Sequence, residues 1–474
     1  MSLYDLIVRG GMVVTPAGPE RADIGVADGR IEAIGPDLEG AANVEIDAGG
    51  LHVFPGVIDP HVHCNEPGRA DWEGFVTATS ALAAGGATAF FDMPLNAHPP
   101  TVDAAAFDAK LARARDASLI DFALWGGIVP GNLDRLDELA ARGVIGFKAF
   151  MSNSGIADFA AADDLTLYEG MVRAGQLGRV VAVHAENDAI TGLLARRAVA
   201  EGRLTPRDYL ASRPVVAELE AIQRAITLAG LAGCALHIVH VSTGQGVALV
   251  AAAWADGADV SCETCPHYLV LTDQDVVRLG AVAKCAPPLR PSAQREALWQ
   301  HIEQGHIAMV ASDHSPSPAA LKEGADFFGV WGGVSGCQST MQLLLTEGHY
   351  KRRLALRDIT RVLSEGAARR FALWPAKGSL TRGADADLAL VDLEPLAVLR
   401  QDDLFYRHRH SPYIGRGLRG RVVATLVRGT TVYQNGRVVS PPVGCLLRPG
   451  YAPSVTPPPP LPGQDPGAST GKLT

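Results

Sequence analysis

Five polar positions interrupt or end apolar runs in places where they could do chemistry. The first is Asp59-Pro60-His61-Val62-His63, which closes the run LHVFPGVID. Alternate residues of a strand share a face, so both imidazoles can reach one point, and His is the commonest metal ligand. Alone, such a pair is more often structural than metal-binding. Lys148 lies inside the apolar run Val144-Ile145-Gly146-Phe147-Lys148-Ala149-Phe150-Met151. A buried, unpaired ammonium is costly there, unless the stem carries it to water. His184 ends VVAVH, His240 ends ALHIVH and Asp313 ends IAMVASD. His237, three residues before His240, is expected on the opposite strand face, which leaves one of the two for a site. Imidazoles with a carboxylate make a donor set for a divalent cation.

Those groups need a scaffold that brings strand ends together. From about Pro55 to Phe371, apolar runs such as ATAFFDM, IDFALWGGIV, VVAVHAE and IAMVASDHS alternate with Ala/Leu/Glu/Arg segments of helical period. Uniformly apolar strands separated by helices describe a parallel sheet buried on both faces. The expected fold is α/β, a (β/α)8 TIM barrel over 54–372, whose C-terminal strand edge is where such barrels build their sites. The flanks read differently. Residues 1–53 and 373–448 carry short alternating strands, including Ile31-Glu32-Ala33-Ile34 after an Asp28-Gly29 turn, and predict one small β-sandwich domain built from both chain ends. Residues 449–474 hold PSVTPPPPLPGQDPG, a Pro-rich tail expected to be extended or disordered.

Composition removes several function classes. Among 474 residues, 42 Lys+Arg face 51 Asp+Glu for a net charge of −9, with no basic run, so nucleic acid is not an expected partner. Seven mostly isolated cysteines do not form a disulfide framework and favour a reducing, cytoplasmic setting. The sequence suggests no secretory signal and no span of membrane length. Cys262-Glu263-Thr264-Cys265-Pro266-His267 looks like half a zinc knuckle, but no second pair follows, and buried thiols are the better reading. The glycine-rich GVWGGVSG lacks the Lys-Ser/Thr ending of a phosphate cradle and reads as a loop whose backbone approaches a substrate.

The set His61-x-His63, Lys148, His184, His240 and Asp313, with its β-rich flanks, resembles the amidohydrolase superfamily over about residues 3–448. The likeness is to its cyclic-amidase branch of hydantoinases, dihydroorotases and allantoinases. The resemblance implies two divalent metal ions, commonly zinc: His61, His63 and Asp313 on one, His184 and His240 on the other. A carbamylated Lys148 and a hydroxide would bridge them, and Asp313 would carry the proton. It also implies a small cyclic amide as substrate and a homo-oligomer, usually a tetramer. Dihydroorotases place an Arg where this chain has Asn65, and hydantoinases a Tyr where it has Asn153. HVHCNEPGRADWEGF, GGATAFFDMPLNAHPP, KCAPPLR and SDHSPSP resemble the allantoinase group instead, which opens allantoin to allantoate. Asn65, Asn96, Asn153 and Ser315 are then candidate contacts to a neutral, ureido-bearing ring, although an Asx-turn or helix cap explains each Asn equally well. A hydantoinase-, dihydropyrimidinase- or dihydroorotase-type hydrolase, and a non-catalytic scaffold homologue, are the rival readings.

Overall fold

Asp28 and Gly29 both take positive φ, 50° and 75°, and join Gly18–Ala27 to Arg30–Gly35 in the tight hairpin that an Asp-Gly turn favours. In the computed structural model, which describes residues 4–450, this hairpin belongs to a mixed sheet. Tyr4–Thr15 pairs with Gly18–Ala27, Ala42–Asp47 and His52–Pro55. His52–Pro55 then pairs antiparallel with Leu388–Val398, which leads to Gly417–Val427 and Thr430–Gln434. Both ends of the chain therefore share one sheet. All but the first two residues of the expected Pro-rich tail lie outside the described residues.

Between those ends the strands run parallel. Val57–Val62 pairs with Ala87–Asp92 and that with Asp121–Leu124, which continues after Trp125 as Gly126–Gly127. The series proceeds through Gly146–Phe150, Val180–His184, Leu236–Ile238, Val260–Thr264 and Met309–Val310, each paired with the next. A bridge between Val62 and His314 joins the end of the series to its beginning. Helices such as Phe75–Ala84, Ala104–Ala117, Asp164–Gln176, Val215–Ala232 and Gly244–Ala255 fill the connections. Several start where the sequence supplies a cap: Asp103, Asp163, Asn187 and Thr243 each accept an amide N–H from the first helical turn.

The uniform apolarity of these strands has a packing cause. Ile58, Ala89, Phe91, Ala123, Ala182, Val239 and Met309 belong to one buried cluster, whereas Val57, Phe90, Phe122, Val181, Val183 and Ile238 belong to another that includes the helices. Successive residues thus face two different cores, so neither strand face can be polar. The chain ends are fastened to the parallel strands by a buried charge cluster. Lys377 Nζ lies 2.5 Å from Asp121, 2.8 Å from Asp385 and 2.7 Å from Asp387, and Arg428 also pairs with Asp121. Burial opposes the charge on Lys377, but the three carboxylates outweigh it and hold the ammonium protonated. Among the described residues no helix is long and apolar enough to cross a membrane.

Candidate metal centre and active site

His61 lies near the end of Val57–Val62, and His63 follows it. Their ring centroids are 5.5 Å apart. Asp313 stands three residues beyond Met309–Val310, with Oδ1 3.3 Å from His61 Nε2 and 3.5 Å from His63 Nε2. One ligand atom from each of the three lies within 4.8 Å of the others. Burial alone would raise the Asp313 carboxyl, but His61 and His63 hold it well below the usual carboxylate range. His184 and His240 form the other half, with His184 Nδ1 3.1 Å from His240 Nε2 and the His61 and His240 centroids 5.4 Å apart.

Lys148 lies deeper than a strand-edge residue. It is the third of five residues in Gly146–Phe150, fully buried, with its Nζ lacking any hydrogen-bond partner and sitting 5.1 Å from the Phe150 ring centre. Burial pushes this amine down to about 7, so neutral amine is abundant at neutral pH. Two orphaned buried groups, Lys148 Nζ and His240 Nδ1, together with imidazole nitrogens turned toward one another, are what a site for a positive ion looks like.

Two carboxylates that sequence reasoning missed orient these rings. Glu263 Oε1 lies 2.5 Å from His61 Nδ1, and Glu263 Oε2 lies 3.1 Å from His237 Nε2. Glu186 accepts from His184 Nε2 at 2.9 Å and is paired with Arg213. Burial would raise both acids, but charged and hydrogen-bonding neighbours hold each near 2, Arg213 and His184 for Glu186 and the two histidines for Glu263. A carboxylate on one ring nitrogen leaves the other nitrogen's lone pair free for a metal. Glu263→Gln is expected to weaken metal retention by about 10–100-fold, measured as the chelator concentration that strips the ions. Retention equal to wild type would remove Glu263 from this role.

His237 and His240 do not part to opposite strand faces as expected. His237 touches the cluster through Glu263, and His240, beyond the strand end with φ 40°, reaches it through His184. Asp313 (44°), Asn65 (63°) and Asn96 (69°) share this left-handed backbone. Asp92 fixes the end of the His61/His63 segment by accepting the Cys64 amide at 2.7 Å, while Lys110 neutralises it at 2.6 Å.

The remaining candidates separate. Asn65 is buried, donates to Pro316 O at 3.3 Å and leaves Oδ1 without a partner. The Asn96 carboxamide lies 3.4 Å from His63 Nδ1, so it touches a candidate ligand directly. Ser315 is half-buried beside Asp313, under Gly333, where a Cβ would come within 2.3 Å of the Ser315 carbonyl. Asn153 is not drawn in: it is exposed and accepts the Gly155 amide at 2.9 Å, an Asx-turn. The glycine-rich loop is held by two lysines, Lys284 on the carbonyls of Phe328 and Val330 and Lys322 on those of Trp331 and Gly333.

Comparison with known proteins adds the decisive observation: the model of the Amidohydrolase family matches residues 52–432. The chain belongs to this family. It is 62% identical over 449 residues to an allantoinase of Rubrobacter xylanophilus, spanning 95% of this chain and 98% of that one. It is 54% identical to an allantoinase of Deinococcus radiodurans, over 95% and 99%. Among solved structures it resembles the L-hydantoinase (dihydropyrimidinase) of Arthrobacter aurescens, with a TM-score of 0.91, 37% identity and coverage of 94% and 99%. The amidohydrolase is a hydrolytic enzyme of mixed α/β fold with a small-molecule substrate, and its His and Asp donors suit the metal dependence general in the family.

Proposed function

We propose that this amidohydrolase is an allantoinase, opening the hydantoin ring of allantoin to allantoate. The observation that carries this is 62% identity to an allantoinase over nearly the whole of both chains. In this reading the parallel strands of 54–372 close into a (β/α)8 barrel, which the Val62–His314 bridge supports. Residues 1–53 and 373–448 form the β-sandwich, supported by the pairing of His52–Pro55 with Leu388–Val398.

His61, His63 and Asp313 would hold one divalent ion, His184 and His240 the other, zinc by family resemblance, with Lys148 as the bridging carbamate. When bound, two such ions supply hydroxide at neutral pH and polarise the amide carbonyl. The chain does the rest. Glu263 and Glu186 keep the protons of His61 and His184 on the nitrogens that face away. Asn96, whose carboxamide nitrogen lies 3.4 Å from His63 Nδ1, orients that ring. Lys148, pushed down to about 7, offers the neutral amine that takes up carbon dioxide, which removes the penalty of a buried cation. Asp313 takes a proton from the attacking water and returns it to the ring nitrogen as the C–N bond breaks. Asn65, with a free buried Oδ1, faces a substrate N–H; a neutral side chain there suits an uncharged ring.

The solved hydantoinases favour a second reading, a hydantoin- or dihydropyrimidine-opening enzyme with the same metal chemistry. Purified metal-loaded enzyme assayed with allantoin, hydantoin, dihydrouracil and dihydroorotate separates the two. Allantoin is expected to lead in kcat/KM by at least about tenfold, since rings lacking the ureido arm leave polar groups unmatched. Preference for another ring overturns the assignment. Free cysteines throughout the described residues support a reducing, cytoplasmic setting, and family likeness supports a homotetramer.

A further inference from the structure

A second donor group adjoins the proposed centre. Val260–Thr264 ends at Thr264, and Cys265-Pro266-His267 turns at once into the short helix Pro266–Val270. Proline at the first helical position suits that turn. The turn brings Cys265 and His267 to Asp313: one ligand atom from each lies within 4.8 Å of the other two. Cys265 and His267 are fully buried, whereas the Asp313 side chain keeps 12% of its exposure.

His267 is the informative member. Neither of its ring nitrogens has a hydrogen-bond partner, although the ring is completely enclosed and packs on Tyr268 with centroids 4.3 Å apart. A buried imidazole with both nitrogens idle is rare in a folded protein. Nothing in the hydrolysis derived above uses Cys265 or His267.

We propose that Cys265, His267 and Asp313 form a third cation site, separate from the catalytic pair except for Asp313, which takes a thiophilic divalent ion and thereby inhibits the enzyme. Sulfur, imidazole and carboxylate are donors for zinc in excess or cadmium, and they select against magnesium and calcium, which prefer oxygen alone. The ion replaces the thiol proton, which leaves to solvent. The new thiolate, with the carboxylate shared between the two ions, then offsets part of the added positive charge. One Asp313 oxygen can serve each side, but a carboxylate so held cannot shuttle a proton. The inhibition rests on the role proposed for Asp313; the binding does not.

The test titrates metal-loaded full-length enzyme with cadmium, following the ultraviolet thiolate-to-cadmium charge-transfer band, total metal content and turnover together. The band should saturate at one added ion per chain with the catalytic ions retained, while turnover falls on the same curve. Cys265→Ser should abolish the band and raise the half-inhibiting concentration at least about tenfold, relative to that variant's own uninhibited rate. His267→Gln should weaken both effects, and Cys234→Ser, at a distant thiol, should change neither. A band that persists in Cys265→Ser, or cadmium that merely displaces the catalytic ions, overturns the site. Unaltered turnover at saturation overturns the inhibition. If Cys265→Ser does not fold, X-ray absorption at the cadmium edge of the wild-type protein decides: a sulfur donor beside nitrogen and oxygen supports the site, and oxygen and nitrogen alone refute it. The band and the metal count do not depend on which ring the enzyme opens, so failure of the allantoin assignment is distinguishable from failure of this site.

Discussion

Asp313→Asn is expected to lower kcat by about 10²–10⁴-fold, the usual worth of a positioned general acid–base, while the protein still folds. The carboxamide keeps the size and shape of the side chain but can neither take a proton from water nor return one to a leaving nitrogen. Its surroundings make the exchange specific. Asp313 Oδ1 stands 3.3 Å and 3.5 Å from the two imidazoles that hold it ionised, and it lies beyond a strand end where no ladder hydrogen bond depends on its side chain. Turnover at saturating substrate, with metal content measured on the same samples, is the check. A variant that keeps both its ions and a near wild-type rate removes Asp313 from proton transfer.

The second large effect concerns stability. Lys377→Met is expected to destabilise the fold by about 3–5 kcal/mol, because removing one partner from a buried ionic cluster leaves the others uncompensated. Asp121, Asp385 and Asp387 would then lose the ammonium they share, while Arg428 stays paired with Asp121. The cluster joins the first residue of Asp121–Leu124 to the approach of Leu388–Val398, so the damage falls where the chain ends meet the parallel strands. The urea midpoint of the variant reads it. A shift worth less than about 1 kcal/mol, the range of a solvated surface pair, would show that the three acids find water or protons instead.

What the sequence disclosed, and what it hid, follows the reach of each interaction. The Asp28-Gly29 hairpin is local, and its residues announce it. The parallel strands are legible because two different cores demand apolar side chains on both faces, as Phe90 and Phe91 do on successive positions. The six candidate ligands were visible because each is a polar residue at or inside such a run. Glu263 was not, since its partner His61 is 202 positions away and a Glu between two cysteines invites a different reading. The charge cluster at Lys377 was hidden for the same reason, with 256 positions between the ammonium and Asp121. Strand alternation misjudged the His237 and His240 pair because the strand ends at Ile238 and the backbone then turns left-handed, which resets the direction of the next side chain. Asn153 is a candidate only by its offset from Lys148, and its exposed turn shows how little an offset says once the chain has left the strand.

That left-handed backbone has an evolutionary side. Asn65, Asn96, His240 and Asp313 hold a conformation that costs non-glycine residues of order 1–3 kcal/mol each. Glycine at any of the four would relax the chain and remove a side chain that lines the candidate site. Selection for robustness and selection for turnover therefore pull these positions in opposite directions. A lineage drifting toward heat tolerance must find its gains in the helices, caps and loops around the strands, leaving the rim of the site as the one place it cannot anneal.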